Sequence, residues 1–295
     1  MVIGNIRESR ATSEGDSIQK PVDLARKSLE IRDVWPFSGF WWECFVVQFV
    51  RFVTFGALGL FLQIGAGFAQ EGKSWTYEGP EGADKWAQLD GANAACGAGF
   101  EQSPIDLRPY YISSVEPMSF DWKAQPFPMV NNGRSVYAQV AKGSMMKLGG
   151  EDFALKQILF HVPAEHAVDG VRHAMEIQFV HTLGQKRLAM VSVFVRAGER
   201  NEIFSQLMGH APGKLGTQPI PNPVDPMALL PKGRGVFRYR GSLTMPPCTE
   251  NVDWIIFEQP IEAAQSDIDV FKLIFPMNAR PLQPLNRRFL LKGVY

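Results

Sequence analysis

Gln157-Ile-Leu-Phe-His161 is followed by Pro163-Ala-Glu165-His166 and then by Met175-Glu-Ile-Gln-Phe-Val-His181. Read as a strand, the first run puts Gln157, Leu159 and His161 on one face and Ile158 and Phe160 on the other. In the second run Glu176, Gln178 and Val180 share a face. Two neighbouring strands that aim such faces into one cavity can assemble a three-histidine zinc site, with two ligands at i and i+2 and the third from next door. Only His161 stands at such a position here.

The stretch resembles the signature of the α-class carbonic anhydrases, roughly Q-x-H-F-H, then P-S-E-H, then E-x-H-x-V-H. Matched residue by residue, the three zinc-ligand positions fall on Leu159, His161 and Gln178. The resemblance implies a mainly β (α+β) fold, a large twisted, mostly antiparallel sheet with a few short helices. It also leads to an expectation about function: a carbonic-anhydrase-like pseudo-enzyme, without catalytic zinc and leaning away from enzymatic activity. Catalytic zinc uses three protein ligands and lowers the pKa of bound water from about 15.7 to about 7. Leu159 offers no lone pair and Gln178 only a neutral amide oxygen.

The chain has 295 residues, 45% of them hydrophobic and 12% aromatic, enough for one large or two modest domains. Thirty basic residues balance thirty acidic ones, which leaves no electrostatic footprint for nucleic acid. Residues 1–44 carry six basic and seven acidic side chains, little periodicity and an aromatic cluster at Trp35, Phe37, Phe40, Trp41 and Trp42. Residues 1–49 read as a leader or as an extension upstream of a misplaced start codon. Residues 50–69 read as a signal peptide: Arg51, an apolar run over 52–62, and the small residues Gly67 and Ala69 at the cleavage positions. A membrane anchor of about 20 residues is the alternative. Residues 70–295 form the expected folded domain, placed in the periplasm or secreted, or held outside the cytoplasm by the anchor.

Within that domain, Trp75-Thr-Tyr77, Trp86 and Cys96-Gly-Ala-Gly-Phe-Glu-Gln102-Ser-Pro-Ile-Asp106 resemble the family's N-terminal segment. Short β-like runs follow at 135–140, 153–160, 174–181, 188–195 and 252–257. Asn201 heads one expected helix over 201–207. Ser266 is read as the cap of another that carries Ile268, Phe271 and Ile274.

Cys96 and Cys248 are the only cysteines after the leader. Two buried free thiols and a bond are both compatible with that count, an oxidising compartment favours the bond, and bacterial relatives pair the corresponding cysteines. The segment Gly241-Ser-Leu-Thr244-Met-Pro-Pro resembles the family's G-S-L-T-T-P-P. By that resemblance Thr244 would hydrogen-bond a zinc-bound hydroxide and donate to Glu165, and Met245 replaces a threonine. Asn131-Asn-Gly-Arg134 resembles the segment in which fast relatives carry a proton-shuttle histidine. Arg134 stays protonated and cannot relay protons.

His166 and His181 match structural positions of the family, His173 reads as a turn residue and His210 as a loop residue. A relocated site using His161 and Glu165 is the remaining route to a metal. Leu159, Val180, Met190, Leu243, Met245 and Trp254 are expected to converge where zinc would sit, as a repacked core or as a small apolar pocket. Three functions follow. The first is an exported structural or binding module in the cell envelope, partnered with an envelope or membrane protein complex and needing no cofactor. The second is an active carbonic anhydrase with Zn2+ in an atypical site, and the third a small-molecule binder using the pocket.

Overall fold

The computed structural model describes residues 74–184 and 187–295. The expected leader over 1–49, the apolar segment over 50–69 and the start of the domain at Gln70 lie outside the described residues. Among the described residues no helix is long and apolar enough to cross a membrane.

The strands are β1 (Tyr111–Ile112), β2 (Met118–Asp121), β3 (Pro128–Asn131), β4 (Val136–Gln139), β5 (Met145–Leu148), β6 (Glu151–His161), β7 (Met175–Leu183), β8 (Arg187–Ala197), β9 (Gly216–Pro219), β10 (Gly235–Ser242), β11 (Glu250–Phe257), β12 (Ile261–Ala263) and β13 (Leu291–Val294). They form one sheet in the order β1-β13-β10-β11-β8-β7-β6-β4-β3-β9, with β12 beside β8 and with β5 joining β2 to β6. Most pairs are antiparallel; β1 with β13, and β8 with β11 and β12, are parallel. The expected mainly β fold with a large, mostly antiparallel sheet is the one observed.

Among the described residues four short α-helices accompany the sheet: α1 (Trp86–Leu89), α2 (Ala95–Ala98), α3 (Glu202–Gly209) and α4 (Gln265–Ile274). Asn201 caps α3 as its sequence predicts, its side chain accepting from the Phe204 N–H at 3.0 Å. Ser266 does not cap α4. It lies inside the helix, and the Ala264 carbonyl takes the N–H groups of Asp267 and Ile268 at 3.0 and 3.3 Å. His210, read as a loop residue, is the C-cap of α3.

The sheet separates two apolar clusters. One face carries Ile158 and Phe160 of β6, Ile177 and Phe179 of β7 and Val191 and Val193 of β8. It is packed by Phe204 of α3 and by Ile268 and Phe271 of α4. The other carries Leu159, Met190, Tyr239 and Trp254. A smaller cluster holds Trp75 and Trp86, with ring centroids 5.1 Å apart, against Cys96 and Cys248.

An irregularity in β6 decides which residues face which cluster. Leu155 pairs with His181, yet Gln157 pairs with the very next β7 residue, Val180, so Lys156 is an extra residue in the ladder. Such a bulge reverses the alternation after it. Phe153 and Leu155 belong to the first cluster before the bulge, and Ile158 and Phe160 after it. Leu159 and His161 are thereby delivered to the opposite face, as the run 157–161 predicts by itself.

Candidate active site

Register brings the ligand-position residues together. Leu159 is directly opposite Gln178, and His161 is opposite Glu176. His161, Glu165, His166, Glu176 and Gln178 are all fully buried, and Leu159 nearly so. His181 lies on the other face of β7, as predicted, stacked against Trp122 at 5.5 Å. Burial pushes its imidazole down to about 3, only partly offset by the Phe179 and Ala189 backbone, so it is neutral at ordinary pH.

Glu176 is the centre of a closed network. Its Oε1 accepts from His166 Nδ1 at 2.9 Å, Gln178 Nε2 at 3.0 Å and Ser192 Oγ at 2.6 Å, and its Oε2 accepts from the His166 N–H at 2.8 Å. Burial alone would raise this carboxyl. The His166 ring and the hydrogen bonds from His166 and Ser192 outweigh it and hold the group at about 2. His166 Nε2 lies 2.7 Å from the Tyr239 hydroxyl, which meets Ser103 Oγ at 2.7 Å.

Glu165 and His161 form a second, looser arrangement. Glu165 Oε1 accepts from the Arg280 N–H at 3.1 Å and Oε2 from Gln178 Nε2 at 2.8 Å. His161 Nδ1 faces the Asn278 carbonyl at 2.8 Å, while Nε2 is 3.6 Å from Glu165 Oε2, beyond hydrogen-bonding distance. His161 Nε2 and Gln178 Oε1 are both buried without a hydrogen-bond partner. The resemblance predicts a bond between Thr244 and Glu165; among the described residues none is formed, and the carboxylate accepts from Gln178 and Arg280 instead.

Above this floor lies an apolar cavity of about 310 Å³, lined in part by Leu159, Val180, Met190, Leu243, Thr244 and Met245. The expected convergence therefore leaves a pocket instead of a filled core. Trp254 is not in its wall: the indole is fully buried, donates to the Ser242 carbonyl at 2.9 Å and stacks on Tyr239. Arg134 is also elsewhere, its guanidinium 5.4 Å from the Trp75 ring centroid. His173 is stacked on Phe194 in the loop before β7.

Cys96 and Cys248 are disulfide-bonded, tying α2 to the loop that carries Thr244 and Met245. Arg280 reinforces the junction from a buried position by donating to Cys96 O, Gln102 Oε1 and Ser103 O at 2.8–2.9 Å. Sequence reasoning missed Arg280 and Asn278. Both lie in an irregular segment more than 110 residues from the carboxylate and imidazole they position, with no local periodicity to mark them.

The family resemblance implies zinc, and the donor set tests that implication. A three-imidazole site does not fit: Leu159 fills one ligand position and Gln178 another. Among the described residues no group of three or more histidine, cysteine, aspartate or glutamate side chains is arranged to hold a metal ion. Two unpartnered acceptors and one carboxylate are what the chain offers instead.

Compared with known protein families, the chain matches the eukaryotic-type carbonic anhydrases over residues 81–293. A carbonic anhydrase of Nostoc sp. is 35% identical over 228 residues, 75% of this chain and 86% of that one. One of Pectobacterium carotovorum is 29% identical over 241 residues, 80% of this chain and 99% of that one. Among solved structures, the α-carbonic anhydrase of Thermovibrio ammonificans in complex with the inhibitor sulfanilamide is similar with a TM-score of 0.73 at 32% identity, covering 75% of this chain and 99% of that one. The Photobacterium profundum α-carbonic anhydrase gives 0.71 at 33% identity, covering 74% and 100%. These similarities overturn the expectation of a non-catalytic envelope module. Relatives at 29–35% identity across three quarters of the chain carry the name of the enzyme, which favours the active alternative.

Proposed function

The chain belongs to the carbonic anhydrase family, and from that premise we propose that it is itself a carbonic anhydrase, a lyase interconverting carbon dioxide and water with bicarbonate and a proton, working with an atypical metal site. The observation that carries this reading is the state of His161. Its ring is held through Nδ1, its Nε2 is free and fully buried beside Glu165, and an apolar cavity of about 310 Å³ opens on the same sheet face.

The chain's own residues bind and orient. Leu159, Val180, Leu243 and Met190 offer a small apolar molecule such as carbon dioxide a dry wall, and the Thr244 hydroxyl at the same wall can both donate to and accept from water or bicarbonate. Arg134 supplies no proton relay, so protons leave to buffer and the rate depends on buffer concentration. Export to an oxidising compartment belongs to the same proposal, supported by the Cys96–Cys248 bond.

The test is carbon dioxide hydration by the full chain, purified without chelator. The expected result is a rate above the uncatalysed one, rising with buffer concentration and abolished by a metal chelator. Folded protein that stays at the uncatalysed rate with every first-row divalent ion supplied sinks the proposal. A second reading, binding of a small apolar ligand without turnover, is favoured by the same cavity and would then take its place.

A further inference from the structure

We infer that the cleft between the loop after α2 and the segment leading into β13, beside β10, is a binding site for a small aromatic carboxylate. It has a volume of about 770 Å³, more than twice that of the cavity above His161, and the two share no lining residue. Small-molecule pockets run to roughly 300–1,000 Å³, and this cleft falls in that range. The site stands apart from the reading of the chain as a carbonic anhydrase and does not depend on it.

Two features describe the occupant. Phe100 and Phe289 line the cleft while staying 77% and 69% exposed, so each ring keeps a bare apolar surface there. Arg240, Arg287 and Arg288 line it against a single carboxylate, Glu101, which leaves an excess of two positive charges. Other surface arginines have close acidic partners: Arg187 has Glu151, Arg196 has Glu262 and Arg238 has Glu116, at 2.5–3.0 Å. In the cleft Arg240 Nε comes no nearer than 3.6 Å to Asp253, and among the described residues Arg287 makes no ion pair or hydrogen bond. Arg288 donates to the carbonyls of Leu285, Arg240 and Pro284, which fixes its position and leaves its charge unneutralised by them.

Like charges gathered beside apolar rings repel one another, and a bound anion relieves that repulsion. A carboxylate matches the planar fork of a guanidinium, and an aromatic ring packs against phenylalanine and stacks on a guanidinium plane. A bare inorganic anion would use the arginines and leave the phenylalanines without a partner. A neutral hydrocarbon would do the reverse.

The cleft is also formed in advance. Asn286 is in the left-handed region at φ 57°, a conformation asparagine tolerates, and its Nδ2 donates to the Phe100 carbonyl at 2.7 Å. That bond joins the loop of Phe100 to the loop of Phe289. The Gln283 N–H donates to the Pro104 carbonyl and the Glu101 N–H to Glu250 Oε1, both at 2.7 Å. Walls tied in this way need little ordering when a ligand enters, which favours affinity.

The experiment titrates the full chain with 2-naphthoate by isothermal calorimetry, with 2-naphthylmethanol as the neutral body and inorganic phosphate as the bare anion. Expected are one naphthoate per chain, binding that weakens as salt is raised, and at least about tenfold weaker binding of the alcohol and of phosphate. Arg287→Gln and Phe289→Ala should each weaken naphthoate binding about tenfold. Both side chains are exposed, and Phe100→Ala, on the joined loop, replaces Phe289→Ala if that variant fails to fold. Absence of binding overturns the site. So does an affinity unchanged in either variant, which would put naphthoate elsewhere, as over His161. Phosphate binding as tightly as naphthoate would show an adventitious ion only, and the alcohol doing so would show an unspecific apolar surface; each overturns the site as well.

Discussion

Among the described residues two buried histidine–glutamate pairs lie on one sheet face, and they differ in one respect. His166 and Glu176 touch at 2.9 Å, and Ser192 and Gln178 complete the carboxylate's bonds. His161 and Glu165 stand 3.6 Å apart, with the imidazole Nε2 unpartnered. The first pair is closed and needs nothing further, which makes it part of the scaffold. The second is open, and an open buried pair is where chemistry or a ligand belongs.

The largest effect should come from breaking the closed pair. Glu176→Ala leaves His166, Ser192 and one of the two amide hydrogens of Gln178 as buried donors with no acceptor, and should cost about 3–5 kcal/mol in urea denaturation. Glu165→Ala in metal-free protein should cost only about 1–2 kcal/mol, since it also removes a charge that lacks a contacting cation. Equal losses would erase the distinction between the pairs.

Acid should open the closed pair next. Glu176 titrates at about 2 in the folded chain against an ordinary 4.5, so its contribution is complete above 4.5 and is lost as pH falls through 2. At 1.36 kcal/mol per unit this is roughly 3 kcal/mol. His181 adds an earlier slope. Its folded value of about 3 lies below the ordinary 6.5, so the unfolded chain takes up the proton first and stability declines from about pH 6.5 downward. Stability followed from pH 7 to 2 should show both legs, and His181→Gln should remove the upper one.

The smallest effect closes the open pair with the family's own donors. Leu159→His combined with Gln178→His should tighten zinc binding by about 100-fold, roughly 2.7 kcal/mol at 1.36 kcal/mol per decade, and either change alone by less. Competition against a chelator measures it. A folded double variant with unchanged affinity would mean that positions 159, 161 and 178 do not share a cavity.

Much of the sheet was legible because its strands carry their own local signals. The runs at 153–160 and 252–257 fall inside β6 and β11, the run at 174–181 matches β7 in all but its first residue, and Asn201 is a cap whose partner is three residues away. What failed depended on distant residues. Ser266 has the right chemistry for a cap, but the backbone turns at Ala264 first. Thr244 and Glu165 were paired by resemblance, and the Glu165 carboxylate accepts instead from the Gln178 amide and the Arg280 N–H. Arg134 was matched to the proton-shuttle position by resemblance, while its position against Trp75 depends on a segment about sixty residues earlier.

By itself the sequence determined the donor inventory: a leucine without lone pairs at 159, an imidazole at 161, an amide at 178 and a carboxylate at 165, each a fixed property of its side chain. It also determined that Leu159 and His161 share a face, since alternation is built into any extended backbone. Only the tertiary structure decided which side of the sheet that face meets, because the extra residue Lys156 reverses the alternation between the two halves of β6. It alone also decided which atoms are left bare. The Gln178 amide turns by whichever acceptors surround it, and those are carboxylates brought from two separate segments. The His161 tautomer is set by a carbonyl 117 residues away.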